Sequence, residues 1–283
     1  MFIEIALRDM SPALVAWARV AAGAVVLVAL TAPRGLLAGI GANLGVVVLV
    51  GAVGVAGPFF LIALGQQEIS SSLAGILVSS APLFTALLAG RVDREERSTG
   101  MRLVGVALGF AGVVILLGVD LSGSSAALLG GLAVVLAGFG YAVSGFIVKR
   151  RTVAIPPLGM AAGVMVACTV LLAPAAALSL PSGGVDAGPV AAVLALGAIG
   201  TGIAYAIFYT LISWVGPART FVVTYISPGF ALVYGVTLLD EPITFGGLAG
   251  LALIVGGSVL AVGEARNESA PSSAPAPAAQ QAG

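Results

Sequence analysis

Apolar residues run along this chain in long unbroken stretches rather than in alternation. Stretches of about 20 residues cover 12–31, 43–64, 69–90, 100–118, 127–147, 158–179, 189–213, 219–239 and 246–263, and a short one covers 1–7. A bilayer-spanning helix needs about 20 such residues, whereas the strands of a membrane barrel alternate over about ten. The pattern therefore predicts an all-α polytopic membrane protein. Polar and charged positions fall between the stretches, at 31–42, 65–68, 91–99, 119–126, 148–157, 180–188, 214–218 and 240–245. None of these connections is long enough to fold as a separate enzyme domain.

The stretches repeat. Gly54, Phe59, Phe60, Ser71-Ser72, Pro82 and Glu95 are matched by Gly200, Tyr205, Ala206, Pro217-Ala218, Pro228 and Glu241, at a constant offset of 146 (200 − 54, 241 − 95). The run Gly105-Val-Ala-Leu-Gly109-Phe-Ala-Gly112 then matches Gly250-Leu-Ala-Leu-Ile-Val-Gly256-Gly257, one residue out of step. Duplicated helix bundles are a common plan of secondary transporters, with the binding site between the halves. The reading divides the chain into a first repeat over 1–122, a second over 123–264 and a tail over 265–283 of Ala, Pro, Ser and Gln, expected to be disordered. Residues 127–157 correspond to the opening of the chain, where Phe2-Ile3-Glu4 leads to Pro12. On this basis most of a first helix is expected upstream of Met1, completing five helices per repeat.

Composition agrees with lipid rather than water as the solvent. Of 283 residues, 59% are hydrophobic and only 8% charged, with a mean hydropathy of +1.15, and a water-soluble globule of this size could not bury so much. The formal net charge is zero, so nothing points to nucleic acid as a partner. A lone Cys168 and the absence of histidine leave no thiolate or imidazole set for a metal; no metal site, cofactor or catalytic residue is expected. Nothing at the N-terminus reads as a cleavable signal peptide. The abundance of Ala, Gly, Val and Arg suggests a GC-rich bacterial genome, and hence a bacterial cytoplasmic membrane.

Positive charge is retained on the cytoplasmic side of short loops. If residues 1–7 end outside, the inner loops hold Arg34, Arg91, Arg94, Arg97, Arg102, Lys149, Arg150, Arg151 and Arg219, with Arg266 in the tail, and the outer loops hold Arg8 alone. Both termini of the full-length protein are then cytoplasmic. Each loop also reverses its charge bias relative to its copy: 91–99 is basic, whereas Asp240-Glu241-Pro242 has no Lys or Arg. An odd number of helices per repeat inverts the second half, which predicts an inverted-topology repeat of five plus five helices.

Several of these segments resemble the EamA-like group of the drug/metabolite transporter superfamily over essentially residues 1–264. They are Asp9-Met-Ser-Pro12 followed by Ala16-Trp17-Ala18-Arg19, then Ser79-Ser80-Ala81-Pro82-Leu83-Phe84 with Glu95, and Tyr225-Ile226-Ser227-Pro228 with Asp240-Glu241-Pro242. The resemblance implies ten helices in inverted repeats around a central cavity, and export or exchange of metabolites, amino acids or drugs. It departs at the N-terminus, where most of the family's first helix has no counterpart.

Charge inside a membrane run is costly, about 2.5–3.5 kcal/mol on insertion scales, which singles out Arg19 and Glu4. Placed on antiparallel neighbours either side of the turn at 9–11, they reach similar depth and are expected to be able to pair. One reading makes Arg19 an anchor for a substrate carboxylate or amine and Glu4 a proton site. The other has Arg19 snorkel to the interface and Glu4 pair with Arg8 at i,i+4. Thr201, Tyr205, Tyr209 and Ser213 recur every fourth residue, and Thr220, Thr224, Ser227 and Tyr234 also share a face. Tyr205, Thr224 and Ser227 are the candidate cavity lining; the competing reading has such hydroxyls bond their own helix carbonyls. Pro58, Pro82 and Pro228 remove helix hydrogen bonds and are candidate hinges or simple kinks.

The whole reads as a secondary transporter working by alternating access on a small organic solute, without ATP, since no phosphate-cradling loop is present. A non-transporting scaffold or receptor is the alternative. The expected partners are the solute and the lipid bilayer, with a homodimer as an option. Reporter fusions after Arg97, after Arg151 and in the tail should read cytoplasmic, and fusions at Ser124 and Asp186 external. The same side for Arg97 and Ser124 would rule out the five-plus-five inversion.

Overall fold

The computed structural model describes residues 1–92, 100–120, 124–151, 155–215 and 223–268. All regular structure among them is helical. In chain order the helices are α1 (Phe2–Ala6), α2 (Pro12–Thr31), α3 (Leu44–Gly51), α4 (Gly57–Gly65), α5 (Ser71–Val78), α6 (Ala81–Val92), α7 (Met101–Ile115), α8 (Ser125–Arg150), α9 (Pro157–Leu178), α10 (Ala187–Gly197), α11 (Ala204–Val215), α12 (Val223–Leu239) and α13 (Phe245–Glu268). Among the described residues six stretches are long and apolar enough to cross a bilayer, from Pro12–Arg34 to Ala187–Ile207, and shorter apolar helices lie at Leu103–Gly118, Ser227–Leu239 and Phe245–Ala261.

Local chemistry fixes the ends. Ser11 caps α2 by accepting from the Leu14 amide at 3.2 Å, and Pro12 opens the helix where no backbone donor is needed. That accounts for Ser11-Pro12 in the motif. Two further hydrogen bonds tie this turn to the segment before α10: Ser11 Oγ donates to Ser179 Oγ at 2.8 Å, and the Asp186 amide donates to Asp9 Oδ2 at 2.9 Å.

Several of the predicted spans are not plain helices. The run 69–90 breaks at Ser79-Ser80, ahead of Pro82, into α5 and α6. The Ser80 hydroxyl donates back to the Leu77 carbonyl at 2.7 Å there, satisfying a group the break releases. Between α3 and α4, and again between α10 and α11, the helix widens into a π-helical turn, at Ala52–Ala56 and Ala198–Ile203. These turns begin 146 residues apart (198 − 52), at the repeat offset, so the distortion is a duplicated feature of the fold. Pro58 follows the first π turn directly, in the opening turn of α4, and Pro228 lies inside α12. A further proline, Pro174, sits inside α9. At the far end α13 continues to Glu268, four residues beyond the expected end of the second repeat; the remaining tail lies outside the described residues.

The repeat-related helices pack against one another in opposite directions. A side chain at Gly105 of α7 would meet the Ala261 and Gly257 backbone at 2.6 Å, whereas one at Gly112 would meet Gly250 O at 3.0 Å. Advancing along α7 therefore retreats along α13. In the same way Trp17 of α2 donates to the Thr169 carbonyl of α9 at 3.1 Å, while Ser11 reaches Ser179. A helix that lies antiparallel to its own copy is the geometry of an inverted repeat, with a pseudo-two-fold axis in the membrane plane.

One tie between the halves comes from an acid in the connection 240–245. Asp240 adopts a left-handed conformation (φ 54°), which aspartate tolerates, and turns the chain after α12. Glu241 then accepts from the Ser71 and Ser72 amides at 2.6 and 2.9 Å and from the Ser72 hydroxyl. A carboxylate on the exposed amides at a helix start is favourable both as a cap and towards the helix dipole.

Packing at the α7–α13 seam can be tested with neighbouring residues. A Cβ at Gly257 would stand 2.5 Å from Gly105 O and from the Gly109 amide, whereas Gly256 has nothing within 4 Å. Gly257→Val should destabilise the protein by about 1–3 kcal/mol, seen as a lower midpoint in thermal unfolding of the detergent-solubilised protein. Gly256→Val should leave it near the wild-type value; equal effects would contradict the seam.

Candidate functional site

Small residues bring α2 unusually close to the α10–π–α11 unit. A side chain at Gly197 would lie 2.6 Å from the Arg19 carbonyl, one at Gly23 would lie 3.1 Å from Thr201 Cγ2, and one at Gly202 would meet Val26 at 2.7 Å. Glycine is what permits that approach. It places Arg19, half-buried on α2, within reach of the π turn. Arg19 Nε donates to Thr201 Oγ1 at 2.9 Å, and the buried Thr201 hydroxyl donates onward to the Leu196 carbonyl at 3.1 Å. Phe59, three residues past the first π turn and one after Pro58, lays its ring 3.6 Å from Arg19 Cζ, a favourable cation–π contact. Tyr141 of α8 and Tyr205 of α11 border the same guanidinium. Both pack at the edge of the central apolar cluster that includes Val20, Phe59 and Cys168.

Arg19 thus sits where both repeats meet, with one face and one edge of its planar guanidinium held. Among the described residues, no hydrogen-bond partner faces its two Nη groups and no Asp or Glu acts on it. This is a positive centre walled by aromatics and a hydroxyl, suited to holding a complementary group from a small solute.

Glu4 lies elsewhere. It sits on α1, and its charged neighbours are Glu241, the Met1 amino group and Arg8; its Oε2 is buried without a hydrogen-bond partner among the described residues. The expected Arg19–Glu4 pair is not formed, because the close α2–α10 contact turns Arg19 towards the second repeat while α1 packs separately against α10. Tyr205 faces the central cluster. Ser227, one residue before Pro228, is exposed on α12. Thr224 belongs to α12, and its side chain lies outside the described residues, as do those of Tyr209 and Ser213. Thr210 and Thr237 bond their own helix carbonyls, Ala206 and Val233, at 2.7 Å. Sequence reasoning named Thr201 only as part of a stripe, Phe59 only as a repeat marker, and Tyr141 not at all; the close small-residue contact around Gly197 is the signal that selects them.

The other face of α11 borders a separate crevice of about 410 Å³, lined by Leu30, Leu158, Ile207 and Trp214 with Arg34 at its edge. Its lining is almost wholly apolar, unlike the surroundings of Arg19.

The family model of the EamA-like transporter family matches residues 1–118 and 128–263. The chain belongs to the EamA-like transporter family. As such it is a multi-pass, all-helical membrane transporter. It is similar to an uncharacterized transporter of Archaeoglobus fulgidus, 28% identical over 200 residues, covering 70% of each chain. A solved crystal structure is 25% identical and superposes with a TM-score of 0.64, over 90% of this chain and 89% of that one.

Water access at Tyr205 can be tested against a position on the outside of the bundle. In a Cys168→Ala background, Tyr205→Cys should react with small water-soluble thiol reagents. Val25→Cys should not, although Val25 is 70% exposed on α2, because its surroundings are lipid. Faster reaction at position 25 than at position 205 would place water on the wrong side of the bundle.

Proposed function

We propose that this transporter is a secondary carrier that moves a small organic solute across a bacterial cytoplasmic membrane by alternating access, exporting or exchanging a metabolite, amino acid or drug. The observation that carries the reading is an arginine at the junction of two inverted repeats, held by Thr201 and Phe59 with both Nη groups open. A charge at that depth is costly, and a solute-binding role explains its retention there better than the lipid interface does. Snorkelling would direct the guanidinium outward, whereas its Nε is bonded inward to a buried threonine. Tyr205 joins the site from α11, with Thr224 and Ser227 as further lining from α12, and Glu4 lies apart as a candidate proton site.

Alternating access calls for two bodies that rock about a site between them. The paired π turns at Ala52–Ala56 and Ala198–Ile203 flank Arg19 and supply matched weak points, since π turns interrupt the regular hydrogen-bond ladder. The reading has no catalytic residue, and both termini of the full-length protein lie in the cytoplasm.

Purified protein in liposomes tests the proposal. Loaded with a cytoplasmic metabolite extract, the vesicles should release a subset of solutes without ATP. At matched protein levels, Arg19→Met should cut that release at least about tenfold, the loss of one charge-assisted contact, while membrane insertion is retained. Vesicles that release nothing beyond protein-free controls would favour the scaffold reading.

A further inference from the structure

We infer that the solute held at Arg19 carries a carboxylate, received end-on by the two Nη groups of a guanidinium that Thr201 and Phe59 hold in one attitude. This rests on the transport reading above and names the chemical class of its substrate. Three observations lead to it. First, the positive charge has no protein counter-ion among the described residues: the ionisable side chains that act on it are Tyr141 and Tyr205, and phenols are uncharged near neutral pH. A neutral solute would leave the charge uncompensated and a cationic one would be repelled; an anion completes the pair.

Second, the edge of the guanidinium left open selects the shape of that anion. Nε is committed to Thr201 at 2.9 Å and Phe59 covers a face at 3.6 Å. What remains is the parallel pair of donors on Nη1 and Nη2, which matches the two oxygens of a planar carboxylate. Third, a single arginine balances a single negative charge. A phosphate monoester carries nearly two, and no second Lys or Arg acts on the site among the described residues.

The threonine is then a positioning residue. Its hydroxyl accepts a hydrogen bond from Nε while donating one to Leu196 O at 3.1 Å, across the π turn. The guanidinium is thereby oriented before any solute arrives, which lowers the ordering cost of binding.

The test has two stages. Solutes released by cells expressing the wild-type chain are first compared, without preselection, against cells expressing Arg19→Met. The solutes that differ should each carry a carboxylate. A set made up of neutral or cationic solutes would overturn the inference while leaving transport intact; no difference between the strains would overturn the transport reading and this inference with it. In proteoliposomes, a released acid should then be taken up at least about tenfold faster than its primary amide, the scale of one charge-assisted pair. Arg19→Lys, which keeps the charge but loses the fork, should cost at least about tenfold in kcat/KM. Thr201→Val should raise KM about tenfold with kcat within about twofold, and Thr201→Ser should restore KM. An amide carried as well as its acid would overturn the carboxylate assignment. An unchanged KM in folded Thr201→Val would remove Thr201 from the site.

Discussion

Lipid tails are as apolar as leucine, so burying leucine against leucine does little to hold two membrane helices together. Close van der Waals packing and internal hydrogen bonding have to do it instead. In this bundle the close contacts fall at glycines. Gly105, Gly109 and Gly257 set the α7–α13 seam, and Gly54, Gly65, Gly130 and Gly140 set α4 against α8. Gly23, Gly197 and Gly202 bring α2 onto the second π turn. Nearly everything about the site follows from that last contact. Were α2 further from the π turn, the Arg19 side chain would end short of Thr201, and the charge would have no reason to point inward. The glycines that look like packing details are thus what converts an expensive charge into a fixed donor pair.

Most of the architecture was legible in the chain because its causes are local or periodic. Apolar stretches of about 20 residues read directly as spans, and the constant offset of 146 disclosed a duplication that the antiparallel packing of α2 on α9 and α7 on α13 bears out. The π turns were not legible, since the sequence around them is as apolar and as small as its neighbours: Ala52–Ala56 reads AVGVA. What distinguishes such a turn is how the helix accommodates a close neighbour, which is a tertiary event. The break at Ser79-Ser80 was partly legible through Pro82, but proline also sits within unbroken helix at Pro174 and Pro228, so the residue alone does not decide.

The site was legible in type more than in partnership. Arg19 stood out because a lone charge in a membrane run demands an explanation. Its expected partner was Glu4, chosen for similar depth across the same outer turn. Depth is a one-dimensional coordinate, and helix rotation decides the rest. The α2 face bearing Arg19 turns to the π turn of the other repeat, while Glu4 shares its neighbourhood with Glu241. Glu241 stood in the sequence only as a repeat and motif position; the fold shows that its two oxygens take the first amides of α5, 170 residues away in the chain (241 − 71).

Duplication and divergence have left different marks. At the offset of 146, Thr201 corresponds to Val55 and Tyr205 to Phe59, so the backbone distortion is shared while the side chains at it are not. The first repeat presents an aromatic face to the guanidinium; the second presents a hydroxyl to its edge. A perfectly symmetric pair would put the same chemistry on both sides and hold a solute equally well in two opposed orientations. The divergence removes that degeneracy: one edge of Arg19 is closed by Thr201 and one face by Phe59. The common ancestry of the repeats thus supplies a frame whose halves are related by a pseudo-two-fold axis in the membrane plane, and their divergence leaves the surroundings of Arg19 chemically one-sided.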